Sequence, residues 1–545
     1  MRRIYRSETV LWAGVVVLTI LVFLSLRQDR GGTAPPEEEE MAEARSRKEI
    51  PRRARRDLGE GVWNLPLDFL VLPKFPSSAK EGEMVLGFPS PEALQRFLKG
   101  AASRGVTVLR SIPKLGLARV SLGNLEGLAD LASDFPDDME HSLNFLVRAP
   151  SPAIPFDADE VRAFGSGALD WLGVPEDNAS WGNGVKVAIL DTGVWTEHSA
   201  FEGLDITQVD LLEPEESIPG DYDGHGTAVA SLIVGSTKYQ RGIAPGSQLM
   251  SLRVLDGEGN GDTFTLAEGI VEAVDRGASV LSLSLGGGSD SFLLRKAVNY
   301  ALDNGAVIVA SAGNDGEGKV TYPAAYPEVI GVTAVDAGSR IADFSNTGDG
   351  VDIAAPGIGL KTAWLGGKSV GFSGTSASAP LVSGAVAGIL SQEPRLSPAE
   401  VFELLATHSD DGYGAGPDAL LGHGVLNLER VLERNQRGIY DLAVGGFNLS
   451  GPGPATSNKT FEISVENRGT EWISGATLDL DVDGQQKRFY IGSLKPGEVL
   501  TSEWFLTPEQ TLNEAGTPVK AKVTPNGRTD SRPSNDTWSM KMKIP

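Results

Sequence analysis

Four residues far apart in the chain are of the types that acyl transfer requires. Asp191, His225 and Ser376 occur in that order, and Asn314 stands between the last two. A serine hydroxyl is a weak nucleophile until a neighbouring base takes its proton. A histidine can take it, while a buried carboxylate fixes the histidine's tautomer and stabilises the imidazolium. Asp191 opens Asp191-Thr192-Gly193 directly after the apolar run 185–190, and a strand end can hold a carboxylate rigidly. His225 lies within Asp223-Gly224-His225-Gly226-Thr227, at the head of a segment rich in Ala and Val. Ser376 lies within Gly374-Thr375-Ser376-Ala377-Ser378-Ala379-Pro380, which opens a helix running to about residue 390. Backbone N–H groups in that first turn can stabilise a developing oxyanion. Asn314 closes Ser311-Ala312-Gly313-Asn314 and supplies a second donor. Each residue alone also reads as a strand-end acid or a helix cap. Their joint occurrence points to chemistry.

The elements that must position them follow from periodicity. Apolar strands at 185–190, 248–255, 280–285, 306–312 and 329–335 alternate with helical stretches at 263–276 and 291–304. Near-continuous apolar strands separated by helices predict an α/β fold with a doubly wound, mostly parallel sheet. The ligand crevice of such a sheet lies at the carboxyl ends of its strands. Residues 83–148 read strand, helix, strand, strand, helix, strand, with strands at 84–88, 106–111, 115–122 and 144–147, which is a small α+β split-βαβ (ferredoxin-like) pattern. From Asp441 onward short runs alternate apolar and polar residues, as in Phe461, Ile463 and Val465, and Asp483-Gly484 marks a hairpin. That predicts an all-β sandwich.

Taken together and in order, the four motifs make residues 165–435 resemble the subtilisin-like serine peptidases, the subtilases. The resemblance implies a serine endopeptidase working through an Asp191-His225-Ser376 triad, an Asn314 oxyanion donor and an acyl-enzyme. It implies that Ser284, Leu285 and Gly286 on one side, and Leu255, Gly259, Asn260 and Gly261 on the other, hold an extended peptide as a strand. Thr321 stands at the base of the first specificity pocket, where the family often has glycine, so a shallower pocket for small or medium apolar side chains is expected. Residues 83–148 resemble the family's inhibitory propeptide, with self-cleavage expected between about 148 and 170. The C-terminal sandwich resembles bacterial cell-adhesion-type modules. This sequence departs from the family at Ala228, where many members have a second histidine. It departs again at Ala377, where methionine is common and prone to oxidation. The segment 236–242 lacks the family's asparagine-rich calcium loop. No cofactor is therefore required, although calcium at other positions stays open.

Composition narrows the alternatives. The 545 residues are 41% hydrophobic and 22% charged, enough apolar material for several domains. The absence of cysteine excludes a thiol nucleophile, a disulfide framework and Cys-ligated metal. The net charge of −24 is opposite to that of a nucleic-acid binder. The expected partners are protein or peptide substrates, the chain's own propeptide, and a membrane through the N-terminus. Arg2, Arg3 and Arg6 precede an apolar run at 10–26, which predicts export with residues 1–30 as a signal anchor or signal peptide. Residues 31–60 carry fifteen charges and no aromatic residue, and read as a disordered linker. The remaining divisions are a propeptide-like domain at 61–150, the catalytic domain at 165–435 and the sandwich at 441–545. The competing reading is a non-catalytic or only self-cleaving surface-binding protein whose sandwich carries the function. Two motifs are set aside. The Asp256–Gly261 stretch lacks the glutamate that closes a calcium loop, and Gly366-Gly367-Lys368-Ser369 lacks the first glycine of a phosphate loop.

Overall fold

The computed structural model describes residues 76–135, 139–150, 163–214, 220, 223–238, 240–412, 416–450, 459–513 and 516–542. The apolar run at 10–26 and the linker at 31–60 lie outside the described residues, as does most of the window expected to contain the cut. Among the described residues no helix is long and apolar enough to cross a membrane.

The first elements are β1 (Ala79–Gly87), α1 (Pro91–Ala101), β2 (Val108–Ile112), β3 (Leu117–Ser121), α2 (Leu125–Ala132) and β4 (Glu140–Arg148). The strands pair antiparallel in the order β4-β1-β3-β2, as the split-βαβ pattern requires. Both helices begin at side-chain caps. The Ala93 N–H donates to Ser90 Oγ and the Gly127 N–H to Asn124 Oδ1. Leu94 and Phe97 of α1 and Leu128 and Leu131 of α2 are buried with Phe88, closing a small core.

The central region contains β5 (Lys186–Asp191), β6 (Ile206–Asp210), α3 (His225–Val234), a small hairpin of β7 (Ser236–Thr237) and β8 (Gln240–Arg241), β9 (Gln248–Arg253), β10 (Asn260–Asp262), α4 (Thr263–Asp275), β11 (Val280–Leu283), α5 (Phe292–Asp303) and β12 (Val307–Ser311). It continues with β13 (Ile330–Val335), β14 (Ile353–Pro356), a hairpin of β15 (Leu360–Trp364) and β16 (Lys368–Phe372), α6 (Thr375–Gln392), α7 (Pro398–His408) and α8 (Leu428–Glu433). Seven strands form one parallel sheet in the order β14-β13-β12-β11-β5-β9-β6. Alternate residues of a strand face different cores. Val187 and Ile189 of β5 join α3 and α6 in one, and Ala188 and Leu190 join α4 and α5 in the other. From β5 the chain steps outward through β11, β12, β13 and β14 on one side, while β9 and then β6 lie on the other, so a crevice opens at the carboxyl end of β5. The edge strand β6 and the strand β14 were not expected from sequence. In β6 the exposed polar residues of Ile-Thr-Gln-Val-Asp hide the apolar signal.

The last seven strands are β17 (Leu442–Ser450), β18 (Thr460–Asn467), β19 (Ala476–Val482), β20 (Gln485–Ile491), β21 (Val499–Phe505), β22 (Thr517–Pro525) and β23 (Thr537–Met542). They form two antiparallel sheets, β17-β18-β21 and β20-β19-β22-β23. Phe461, Ile463 and Val465 face Leu478, Leu480, Val519 and Val523 across a shared core. Asp483 and Gly484 both take positive φ, 54° and 78°, as a two-residue primed turn demands.

The sandwich is fastened to the central region by buried charge. Arg430 of α8 donates through Nη1 to Glu466 Oε1 of β18 at 2.5 Å, to Asp410 Oδ1 at 3.1 Å and to the Ser409 carbonyl at 2.7 Å. Arg468 bridges the same two acids, at 2.9 Å to Asp410 and 3.0 Å to Glu466. Arg532 pairs with Asp441 at 2.5 Å, with Glu429 at 3.1 Å, and with Glu433.

A separate acid is stressed beside β14. Burial pushes the Asp352 carboxyl up to about 7, although the Gly331 N–H donates to it at 2.8 Å and acts in the opposite direction. The folded protein therefore retains a proton that the unfolded chain has already lost. Stability is greatest below about pH 4 at this site and falls as pH rises towards 7. Asp352→Asn keeps the acceptor and removes the titration. Its expected gain grows between pH 4 and 7 and then levels at on the order of 4 kcal/mol. Thermal unfolding of both proteins across that range checks it. A gain that does not change with pH would contradict the assignment.

Candidate active site

The sheet brings three chain-distant segments to one edge. Asp191 is the last residue of β5. Ser284 and Asn314 follow the carboxyl ends of β11 and β12, the next strands in the sheet order. His225 begins α3 and Ser376 lies in the first turn of α6, and these two helices pack together.

Asp191 and His225 are buried, at 1% and 3% exposure. His225 Nδ1 lies 2.8 Å from Asp191 Oδ1 and 3.0 Å from Oδ2. An ionised carboxylate only accepts, so Nδ1 carries the proton and donates it. The neutral ring then presents Nε2 as an acceptor. Asp191 Oδ1 also accepts the Thr192 N–H at 2.7 Å, and Thr192 Oγ1 accepts the Gly226 N–H at 3.2 Å. The carboxylate and the head of α3 are thus tied through one residue. Gly226 is required there, because a Cβ would stand 2.3 Å from the Gly193 carbonyl and 3.2 Å from Asp191 Oδ1. Phe372 packs edge-on against the His225 ring, with centroids 5.3 Å apart.

Ser376 Oγ is buried and has no hydrogen-bond partner among the described residues. Buried hydroxyls are nearly always paired, so an unpaired one needs an explanation. The backbone of Ser376 is held by Ser284 Oγ, which donates to its carbonyl at 3.1 Å. Asn314 is oriented by Thr375, which precedes Ser376. The Thr375 N–H and Oγ1 both donate to Asn314 Oδ1, at 2.9 and 2.8 Å, while Thr375 Oγ1 accepts the Gly313 N–H at 3.2 Å. These bonds fix the flip of the amide. Its Nδ2 stands beside Gly374, where a Cβ would come within 2.7 Å of it, and Gly374 adopts φ +133°. Sequence reasoning singled out Asn314 but missed Thr375 as its anchor. The only available signal was its place before Ser376, and the partnership spans 61 residues.

The two segments expected to hold a peptide flank the crevice, and the chain's own β4 lies between them. On one side β10 pairs antiparallel with β4, Asn260 facing Arg148 and Gly261 facing Val147, and Ala149 N–H donates to the Gly259 carbonyl at 2.8 Å. On the other side Arg148 and Gly286 exchange two backbone bonds, of 2.8 and 2.9 Å. The close approach needs glycine, since a Cβ on Gly287 would lie 2.7 Å from the Leu146 carbonyl. Leu255 and Leu285 bury their side chains in the core, and the Val254 and Leu255 N–H groups donate to the Asp191 carbonyl. Thr321 sits between Gly286 and Gly313. A Cβ on Gly286 would stand 2.3 Å from Thr321 Oγ1, and one on Gly313 would stand 3.1 Å from Thr321 Cγ2. The strand expected at 144–147 is longer, Glu140–Arg148, because residues 140–143 pair with β1 and the crevice edges give Arg148 partners.

The domain carrying β4 is held by a buried charge cluster next to the crevice. Asp262 caps α4 through the Thr265 N–H and receives Lys80 at 3.3 Å and Arg119 at 3.7 Å. Burial alone would raise its carboxyl, but Arg119 and Lys80 outweigh that and hold it below the usual range. Asn144 of β4 accepts the Phe264 N–H in the first turn of the same helix.

The loop at Asp256 folds on itself, its Oδ1 accepting the Glu258 and Asn260 N–H groups. Among the described residues no cluster of three or more His, Cys, Asp or Glu is arranged to hold a metal ion.

Known proteins share this architecture. The subtilase family matches residues 182–424. Thermitase of Thermoactinomyces vulgaris is 38% identical over 217 residues, spanning 39% of this chain and 77% of that protein. Subtilisin Savinase of Lederbergia lenta is 36% identical over 250 residues, spanning 46% of this chain and 90% of that protein. The crystal structure of fervidolysin from Fervidobacterium pennivorans superposes with a TM-score of 0.57 over 86% of this chain and 92% of that one. At 20% identity it speaks for the fold alone. Similarity of this extent to proteases, over the same sheet whose carboxyl edge gathers Asp191, His225 and Ser376, identifies the chain as a serine endopeptidase belonging to the subtilase family.

Proposed function

We propose that Ser376 is the nucleophile, His225 the general base and acid, and Asp191 the carboxylate that orients it, in an exported, self-maturing endopeptidase. The bond from His225 Nδ1 to Asp191 carries this reading, since it leaves Nε2 as the nitrogen that can take a proton. Ser376 Oγ attacks the peptide carbonyl as His225 takes its proton, and His225 then protonates the leaving amine. Water enters by the same base and releases the acyl group. Asn314 Nδ2 and the Ser376 N–H stabilise the tetrahedral oxyanion, the latter aided by the 18-residue helix behind it.

The domain containing β4 acts as an inhibitory propeptide. Its strand between the two crevice edges supports this, because a peptide substrate needs the same backbone partners. Export is supported by Arg2, Arg3 and Arg6 ahead of the apolar run at 10–26, which anchors the protein or is removed as a signal. The reaction needs no bound cofactor.

A fluorophosphonate probe tests the nucleophile directly. Labelling at Ser376, absent in Ser376→Ala, is the expected result. A folded protein that takes no label would make the surface-binding reading the better one. Asn314→Ala gives a finer test. With labelling retained, kcat is expected to fall about 10²–10³-fold with little change in KM, because the amide acts on the transition state rather than on bound substrate. Steady-state kinetics on a fluorogenic peptide checks the split. A rise in KM at unchanged kcat would place Asn314 in substrate binding instead.

A further inference from the structure

We propose that the outward face of the sheet β20-β19-β22-β23 is a binding site for an acidic polysaccharide, a polymer of the uronic-acid type. The site lies wholly in the sandwich and stands independently of the catalytic reading above.

The face holds a groove of about 730 Å³ that crosses all four strands. That volume is in the range of ligand clefts, and four strands spaced about 4.8 Å apart make the groove about 14 Å wide. Cross-strand register sets its floor in rows. One row runs Gln486, Asp481, Lys520 and Ser539. The next runs Arg488, Asp479, Lys522 and Thr537. The residues between them along the strands, such as Leu480 and Ala521, turn into the core instead.

The two acids in this floor are already engaged. Arg488 donates to Asp479 through two nitrogens, at 2.5 and 2.8 Å. Asp481 accepts Gln486 Nε2 at 3.0 Å and the Gly484 N–H at 2.9 Å. Ordinary cross-strand pairing accounts for these residues. It does not account for Lys520, Lys522 and Lys541, which share the face, are exposed, and form no ion pair among the described residues. Charge is also segregated across the module. Residues 441–545 hold 11 Lys and Arg and 13 Asp and Glu, whereas the other 440 residues hold 37 and 59. The sandwich is therefore the part of the chain that an anionic polymer can approach. Its other sheet turns Glu462 and Glu503 outward, opposite each other, so the unpaired cations gather on the grooved face alone.

The chemistry of the face selects among anions. Its cations spread over β20, β22 and β23 rather than converging on one point, which suits carboxylates repeated along a chain and not one compact anion. The backbone N–H and C=O groups of the floor are taken up by the sheet's own ladders, so an extended acidic peptide finds no main-chain partners there. What remains on offer is ammonium, amide and hydroxyl groups, with the Tyr490 ring, 82% exposed, on the same face beyond Arg488. A uronic-acid chain uses all of these. Its carboxylates meet the lysines, its hydroxyls meet Gln486, Thr537 and Ser539, and the C–H face of a sugar ring lies on the tyrosine.

Calorimetric titration of the purified full-length protein with polygalacturonate, at low and at high ionic strength, tests this. Saturable binding that weakens with salt is expected, as is no binding of the neutral polymer amylose. Lys520→Glu with Lys522→Glu is expected to weaken binding at least about tenfold, since reversed charges meet like charges on the polymer. Both side chains are exposed, and thermal unfolding shows whether the variant is folded. If it is not, Tyr490→Ala decides, with weaker binding expected and unchanged binding placing the polymer elsewhere. Absence of binding, binding that salt or the double substitution leaves unchanged, or equal binding of amylose overturns the proposal. Equal binding of polyglutamate overturns the choice of a polysaccharide over an acidic polypeptide. None of these results alters the expected labelling of Ser376.

Discussion

Ser376→Ala is expected to lower peptide hydrolysis by about 10⁶-fold and to leave the 545-residue chain uncut. The magnitude is that of the subtilisin triad, whose members act as a unit, so losing the nucleophile forfeits the contribution of the other two. The residual rate reflects binding and the oxyanion donors alone. The substitution removes one hydroxyl that has no partner among the described residues, so it leaves no buried group unsatisfied. Folding is expected to be unchanged. Intact mass of wild type and variant, read beside a fluorogenic assay, separates the possibilities. If both chains shorten to the same fragment, another protease performs the maturation. If activity survives the substitution, Ser376 is not the nucleophile.

The second large effect concerns the seam between the catalytic region and the sandwich. Arg430→Met is expected to cost about 3–5 kcal/mol of stability, the range for breaking a buried ion pair from one side. Arg430 and Glu466 expose 5% and 2% of their side chains, so water cannot replace the lost guanidinium. Arg468 still reaches both Asp410 and Glu466, which places the loss towards the lower end. Removing the acid as well, in Arg430→Met with Glu466→Met, is expected to recover much of it, since the penalty lies mainly in the stranded charge. Denaturant unfolding of the two variants checks this. A single-variant loss below about 1 kcal/mol would mean that solvent enters the seam. An early separate transition for the sandwich would show that Arg430 serves docking more than the stability of either part.

Much of the site is legible in the sequence because its parts are local. An apolar run followed by Asp191 is a strand end, and small residues after His225 and Ser376 mark helices packed closely on a sheet. The parallel sheet, the small α+β domain and the sandwich follow from period and alternation in the same way, within a residue or two at most boundaries. Edge strand β6 escapes because its exposed polar side chains carry no such period.

What the tertiary structure alone decided is which distant residues meet. Thr375 orienting Asn314, Asp262 receiving Lys80 and Arg119, and Arg430 meeting Glu466 are partnerships across 61, 182, 143 and 36 residues. Entry of β4 into the crevice belongs here too, since its far end is a strand only because Asn260, Gly261 and Gly286 supply its bonds. The reason is physical. Side-chain periodicity records which face of its own element a residue occupies, whereas its partner across a gap depends on how every other element has packed.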